Sequence, residues 1–284
     1  MIGFRNIMAR IGHTQPLTVL HAARQGVYLD GGELGEVLLP SREMNGELES
    51  GDSVNAFLYH DSEGRLIATT RQPRAQLGEV AFLKVLETTP IGAFLDWGLA
   101  KDLLLPFAEQ RSTPEVGMHQ LVKVIEDREG RLLGTAQLDS HIDDTSTAYQ
   151  QGDEVSVVVA VTTDLGYKVV VDHRYWGMIN SAELRAPLKR GQRLIGYIQR
   201  LREDDRLSVS LNAPGAARSD ELADNVLARL EAADGFLPLS DKSSPDAIFA
   251  EFRVSKGAYK QVIGKLYKAR KIRLEKDGIY LLKD

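Results

Sequence analysis

The sequence has no cysteine among its 284 residues. This absence excludes disulfide bonds, thiolate zinc sites and a cysteine nucleophile, and it is typical of proteins in a reducing compartment. The first residues also lack the apolar segment and the small-residue cleavage site of an export signal. We therefore expect a cytoplasmic protein.

Long apolar runs are also missing. The longest lies near "VSVVVAV" at residues 155–161, far short of the roughly 20 residues that cross a bilayer as a helix. Its β-branched side chains predict a strand instead. We expect no association with a membrane.

The chain lacks an excess of positive charge, because 35 lysines and arginines face 40 aspartates and glutamates, for a formal net charge of -5. Nucleic-acid-binding domains often carry a strong positive balance. If this chain binds nucleic acid, it must do so through local cationic patches or through stacking on aromatic side chains.

Catalytic motifs are absent as well. The sequence shows no glycine-rich phosphate loop, no His-Glu-x-x-His and no nucleophile elbow. The segment "HIDD" at residues 141–144 has the residue types of metal ligands, but it lies in a polar stretch without a partner cluster. We expect no catalytic residue, no metal site, no cofactor and no enzymatic activity.

An internal repeat organises most of the chain. The segments 26–51, 92–117 and 166–191 each begin and end on glycine and align without gaps. A strand pattern precedes each segment, and a strand, a turn and another strand follow it. Glutamates occupy one equivalent position in the three copies: Glu43, Glu109 and Glu183.

Each repeat therefore predicts five short strands over about 60 residues, which suits a small closed barrel of the OB type. The opening glycines fit a bend where a side chain would crowd the turning strand. We predict a mainly β protein with barrels in domains 1–73, 74–138 and 151–212, joined by a polar linker at 139–150 that has room for a helical turn.

After residue 212 the pattern becomes helical. Apolar spacing and cap residues predict helices within 221–234, 243–252 and 255–271, the first of them capped by Ser219 or Asp220. A hairpin with Asp277 and Gly278 at its turn follows. Three helices and a hairpin are the order of a winged helix, so we predict a small α+β domain at 213–284.

The five-stranded repeat resembles the S1 RNA-binding domain, a member of the OB-fold class. The second repeat keeps Gly92 and Phe94 of the family's second strand, and Asp127 and Arg131 match its closing Asp-Arg pair. In the first repeat the corresponding residues include Tyr28, Asp61 and Arg65. In the third repeat Lys168 stands at the aromatic position and Asn180 at the position of the family's histidine.

The complete order of three such barrels and a terminal winged helix resembles the conserved virulence factor B family of bacteria. The third repeat's "LGYKVVVDHRYWGMI" and the terminal "GFLPLSDKSSPDAIFAEFRVSKGAYKQVIGKLYKARKI" are similar to that family's pattern. This resemblance implies RNA binding and a role in the regulation of gene expression, and it implies no catalytic reaction.

Candidate contacts in the barrels are aromatic rings that stack on bases and cations that follow phosphates. The rings are Tyr28, Phe94 and Trp97, and the cations are Arg65, Lys101 and Arg131. The resemblance to the S1 domain adds Asp127 as a further candidate. Packing in the core is the alternative for Tyr28 and Phe94, whereas the polar turn around Trp97 favours exposure. Tyr175 and Trp176 are expected to be structural.

The last predicted helix separates its residues into two sides. One side is apolar, and the opposite quarter carries Lys256, Lys260, Lys268 and Lys271. A charged face is often merely solvated, but here it occupies the recognition-helix position, so we predict contact with nucleic acid or the ribosome.

These observations favour a regulator that binds single-stranded RNA. The alternatives are a transcriptional regulator that binds duplex DNA through the winged helix, and a protein-interaction module that docks on the ribosome or polymerase.

Overall fold

A computed structural model describes residues 9–184, 186–201, 206–212 and 215–282. They divide into two compact units. The first contains the first two barrels and most of the third, and the second contains the chain from Ser210 onward together with Gln150–Glu154 and Gly196–Gln199. The strands lie inside the predicted domain ranges, while the boundaries themselves stay predictions.

The first five strands close into a barrel in the order β1-β2-β3-β5-β4. Their bounds are β1 Thr14–Ala23, β2 Gly26–Asp30, β3 Glu36–Pro40, β4 Ser53–His60 and β5 Leu66–Thr69. A three-residue 3₁₀ turn, Ser41–Glu43, follows β3 and brings Glu43 into the interior. There the Glu43 carboxylate accepts a hydrogen bond of 2.9 Å from the Thr69 hydroxyl.

The second five strands form a sheet in the order β10-β9-β6-β7-β8. Their bounds are β6 Val80–Thr89, β7 Gly92–Leu95, β8 Leu103–Pro106, β9 His119–Glu126 and β10 Leu132–Thr135. The prediction of full closure is wrong for this barrel, because β8 and β10 are the sheet's two edges. Side-chain packing replaces a hydrogen-bonded ladder there: a Cβ at Gly134 would lie only 3.3 Å from a methyl of Leu103.

The third barrel is closed in the order β11-β12-β13-β15-β14. Its bounds are β11 Glu154–Thr163, β12 Gly166–Val171, β13 Tyr175–Asn180, β14 Arg193–Leu201 and β15 Leu207–Ser210.

The glycines that open the three repeats act as predicted. At Gly92, with φ of 148°, a Cβ would lie 2.3 Å from the Leu105 carbonyl oxygen, so only glycine fits this bend.

The C-terminal domain has three helices and a three-stranded sheet in the order β16-β18-β17. Its bounds are α1 Gly215–Ala232, β16 Phe236–Leu237, α2 Pro245–Phe252, α3 Lys256–Lys268, β17 Ile272–Leu274 and β18 Ile279–Leu281. The Ser244 and Ser255 hydroxyls cap α2 and α3. The predicted cap at Ser219 or Asp220 is wrong, because α1 already begins at Gly215 and alanines at 216 and 217 favour helix.

The α3 helix ends three residues before the end of its predicted segment, at Lys268 instead of Lys271. Arg270 adopts a left-handed conformation with φ of 56°, and the Lys271 amide donates to the Leu266 carbonyl at 3.0 Å. This is the hydrogen bond of a Schellman end. The prediction that Lys271 lies on the helix is therefore wrong, and it occupies the turn before β17.

Among the described residues, no helix is both long enough and apolar enough to cross a membrane.

Candidate nucleic-acid interface

The outer faces of the second and third strands are the surfaces that bind oligonucleotides in OB folds. In the first barrel, Tyr28 lies on this face of β2, half-buried and opposite Leu38 of β3. Its ring lies 5.0 Å from the ring of His21, which belongs to β1. The Glu36 carboxylate binds His21 at 3.0 Å and raises the pKa of that imidazole through the hydrogen bond. The face therefore presents two neighbouring rings.

The equivalent position in the second barrel is Phe94, half-buried on β7 and opposite Leu104 of β8. Carboxylates surround it. Glu87 pairs with Phe94 on the other side, and burial raises the pKa of Asp102, with Asp96 and Glu87 raising it further by repulsion. Phosphates would be repelled here, so the ring is suited to stacking on bases whose phosphates point away.

The predicted exposure of Trp97 is wrong. Its side chain is 2% exposed, and its ring meets the Phe57 ring of the first barrel edge-on with centroids 5.6 Å apart. Its indole N–H donates to the Ala75 carbonyl at 2.7 Å. The polar residues around it suggested a solvent-exposed turn, but the turn is covered by the first barrel. Trp97 is part of the joint between two barrels.

Lys101, predicted to contact phosphate, belongs to the same joint. Its ammonium donates to the His60 carbonyl at 2.8 Å and to the Asp61 carbonyl at 2.9 Å. Burial lowers the pKa of Lys101. Because its hydrogen-bond donors are directed at the first barrel, we correct its role from phosphate contact to interdomain contact.

The two Asp-Arg pairs hold the hairpins between the fourth and fifth strands. Asp61 accepts from the Arg65 amide at 3.0 Å and from the Arg65 guanidinium at 2.6 Å. Asp127 binds Arg131 in the same way, with a guanidinium contact at 2.7 Å. A second carboxylate, Glu129, pairs with Arg131 at 2.8 Å. Because the charge of each arginine is balanced by these carboxylates, little of it is left to attract a phosphate. The aspartates stabilise the turns through their hydrogen bonds.

The third barrel has a covered face. Trp176 is 6% exposed and packs with Val170 against Val80 and Leu121 of the second barrel and Ile142 of the connecting segment. The expectation that Trp176 is structural is confirmed. Four consecutive residues in the middle of β11, 157–160, are buried on both faces of the strand, which accounts for most of its apolar run.

Lys168, which replaces the aromatic residue in this repeat, has a structural role. Its ammonium lies 3.8 Å from the centroid of the Trp176 ring and 3.0 Å from the Asp139 carboxylate. Asp139 belongs to the segment predicted to be a polar linker, which instead packs on the third barrel. The helical turn expected in this segment is a 3₁₀ turn at its beginning, Leu138–Ser140. This face is not available for stacking.

Further contacts fix the second barrel to the third. The Val80 amide donates to Nδ1 of His173 at 2.9 Å. The Lys123 ammonium donates to the carbonyls of His141 and His173 at 2.9 and 3.0 Å. In the described part of the chain, no three His, Asp or Glu side chains are grouped to hold a metal ion.

Several exposed rings of the described chain were not expected from the sequence, His21, Phe107 and Tyr267 among them. His21 faces Tyr28 through the short β1–β2 hairpin, and that hairpin's register could have predicted the pairing. Phe107 is 56% exposed directly after β8, and Tyr267 is 53% exposed on α3. Phe107 could have been noticed by comparing repeats, because the other two have serine there, Ser41 and Ser181.

The winged helix presents cations on the exposed side of α3 and in the turn that follows it. Lys260, Lys268 and Lys271 are exposed and Lys256 is half-buried, and within the described residues none of them forms an ion pair. Lys265 differs, because it is paired with Asp220. Tyr267 lies eleven positions after Lys256 and seven after Lys260, which places a ring on the same helical face as these lysines.

Two protein families match parts of this layout. The S1 domain matches residues 11–71, and the CvfB-like winged helix domain matches residues 224–281. The chain is thus a tandem array of S1-like barrels followed by a winged helix.

The chain is also 31% identical over 271 residues to the Conserved virulence factor B proteins of Staphylococcus aureus strains bovine RF122 / ET3-1 and N315, covering 90% of this chain and 89% of each relative. It belongs to the conserved virulence factor B family. A solved structure from Streptococcus pneumoniae, described as a multidomain protein with nucleic acid binding domains, matches 96% of this chain and 98% of its own at 25% identity and a TM-score of 0.40.

Proposed function

We propose that this protein binds single-stranded RNA and regulates gene expression after transcription. One observation carries the proposal. Tyr28 and Phe94 occupy the same position of the second strand in two consecutive barrels, and both lie half-exposed on the outer faces of their barrels. Stacking on such rings tolerates any base sequence and contributes roughly 1–3 kcal/mol per base.

The first two barrels act together in this proposal. The Trp97 and Lys101 contacts fix the second barrel to the first, so both stacking faces are held by one rigid joint. A strand that has bound one face meets the second at high effective concentration, which strengthens two individually weak sites. The third barrel contributes no stacking face, because its equivalent surface is packed against the second barrel.

Phosphate contacts come chiefly from the winged helix. The barrel faces carry carboxylates beside their rings, whereas Lys260, Lys268 and Lys271 are exposed and lack ion pairs in the described part of the chain. Lysine is a flexible point charge, which suits binding to phosphates without reading sequence. The proposal involves a cytoplasmic location and no catalytic turnover.

A second candidate is binding to duplex DNA, which the unpaired lysines of α3 favour. A helix at this position of a winged helix can enter a major groove. A titration that compares single-stranded RNA with duplex DNA of the same sequence, at one salt concentration, separates the two. We expect tighter binding to the single strand. Tighter binding to the duplex would contradict the RNA proposal and support DNA.

The stacking faces are tested by Phe94→Ser and Tyr28→Ser, read by polarisation of a labelled oligonucleotide. Each change removes one stack, so each should weaken the affinity for single-stranded RNA by about 1–3 kcal/mol. The matched control is Lys168→Ser, the same repeat position on the covered face, which should leave the affinity unchanged. Thermal unfolding of each variant confirms that it is folded.

A further inference from the structure

Phe107 is an exposed aromatic side chain with no role in the core. It is 56% exposed and belongs to none of the hydrophobic clusters of buried residues in the described chain. An exposed phenylalanine contributes little to folding, and single exposed apolar residues are common on protein surfaces. The place of Phe107 in the barrel is therefore what indicates a role.

The repeats show that the backbone does not require phenylalanine there. Ser41, Phe107 and Ser181 each begin a three-residue 3₁₀ turn after the third strand of their barrel. The residue before the turn is extended in all three copies, with φ of -64°, -61° and -73°. The same local structure thus forms with serine twice, so the ring is an addition particular to the second barrel.

The strand register places Phe107 one residue beyond the β7–β8 ladder that carries Phe94, at the start of the 3₁₀ turn. Phe94 pairs with Leu104, and Gly92 pairs with Pro106. Phe107 follows immediately, next to the turn between β6 and β7, where Ile91 is 60% exposed. In OB folds the loop between the first two strands borders the oligonucleotide-binding face. The position of Phe107 is therefore at the rim of that face.

The distance suits bases a few positions apart in one strand. Three residues of chain separate Leu104, opposite Phe94, from Phe107, which is about 10 Å at roughly 3.4 Å per residue. Bases in a stacked strand follow one another at about 3.4 Å, so about three base steps cover this length.

We propose that Phe107 is a second stacking residue of the second barrel, which binds a base a few positions along the strand from the one on Phe94. The proposal rests on the RNA-binding function proposed above and adds a binding residue to it. It gives the second barrel a longer binding surface than the first, where Ser41 stands at the equivalent position.

The test is Phe107→Ser, the residue that the other two repeats carry. Loss of one stack should weaken binding to single-stranded RNA about fivefold or more, with unchanged thermal unfolding. Phe107→Leu keeps an apolar side chain but loses the flat ring, and it should weaken binding in the same direction. The reverse change, Ser41→Phe, should tighten binding by the first barrel.

Controls separate this inference from the function on which it rests. Leu165→Ser removes an apolar side chain that is 76% exposed at the equivalent turn of the third barrel, and it should have no effect. If Phe94→Ser weakens binding but Phe107→Ser does not, the inference is wrong and the proposed function stands. If the unaltered protein binds no single-stranded RNA, the proposed function itself is wrong. Full affinity in Phe107→Leu, or equal loss in Leu165→Ser, also overturns stacking at Phe107.

Ultraviolet crosslinking gives an independent readout. Trypsin releases residues 102–111 as one peptide, "DLLLPFAEQR", in which Phe107 is the only aromatic residue. We expect a crosslinked nucleotide on this peptide in the intact protein. Crosslinks confined to residues 85–101, the peptide that contains Phe94, would contradict the inference.

Discussion

Trp97 and Phe94 lie three residues apart, and we predict that they fail in different ways when altered. Trp97→Ala removes a ring that is 2% exposed. Removal of a buried aromatic side chain costs about 3–5 kcal/mol of unfolding free energy, through lost transfer energy and the cavity left behind. Phe94→Ala removes a half-exposed ring on an outer face, so it should cost about 1 kcal/mol or less.

A second change isolates the hydrogen bond within the joint. Trp97→Phe keeps an aromatic ring beside Phe57 but leaves the Ala75 carbonyl without the donor that contacts it at 2.7 Å. A buried acceptor without a partner costs about 1–3 kcal/mol. The expected order of stability is therefore unaltered protein, then Trp97→Phe, then Trp97→Ala.

The assay is denaturation in urea followed by circular dichroism, with RNA affinity measured below the transition. Trp97→Ala should unfold at lower urea and lose RNA affinity only to the extent that it unfolds or loosens the joint. Phe94→Ala should keep its transition and lose affinity. A Trp97→Ala variant with the transition of the unaltered protein and weakened RNA binding would refute the reasoning, since that result requires an exposed, stacking Trp97.

Three further predictions follow from charges and hydrogen bonds. Changing three α3 lysines to glutamine should reduce the slope of log affinity against log salt concentration by about 2, at roughly 0.7 per lost phosphate contact. The control Lys265→Gln should change this slope less, because Lys265 is paired with Asp220. The three lysines are Lys256, Lys260 and Lys268. Burial lowers the pKa of His173; Glu79 acts in the opposite direction, and Arg193 adds to the lowering. Just below pH 6.5 the folded state therefore binds fewer protons than the unfolded state. The free energy of unfolding should fall as the pH is lowered through that range. His173→Asn keeps an acceptor and tolerates the left-handed backbone, so urea midpoints at pH 7.5 and 5 should differ less in this variant, and an unchanged difference would exclude His173 as the cause. Lys101→Met should lower the free energy of unfolding by about 1–2 kcal/mol through two lost charged hydrogen bonds, without changing the salt slope for RNA; a flatter slope would restore its role as a phosphate contact.

The repeat can be predicted from the sequence because the residues that define it act on their immediate neighbours in the chain. An opening glycine such as Gly92 is required by a carbonyl that lies 2.3 Å from where a Cβ would be, and that requirement recurs in every copy. The serine caps of α2 and α3 likewise act within one turn of helix. The order of strands and helices, and with it the family, follows from such features.

The end of α3 was harder to predict. The segment from Lys268 to Lys271 has no glycine or proline to stop a helix, yet Arg270 turns left-handed and the helix ends at Lys268. The chain must turn there because Ile272 starts a strand whose side chain is 1% exposed in the core of the domain. Tertiary packing therefore decides this boundary and moves Lys271 off the helix.

By itself, the sequence determined three S1-like repeats, a winged helix and a short set of aromatic and cationic candidates. Only the tertiary structure decided which candidates face solvent. Trp97 lies in a polar stretch yet is buried by the first barrel, and Lys168 is held against Trp176 and Asp139. Phe107 follows an apolar strand yet is exposed. The physical reason is that the exposure of a side chain depends on contacts with residues some tens of positions away in the chain. A local pattern of polar and apolar residues predicts the strands of one barrel, and it does not predict what covers them.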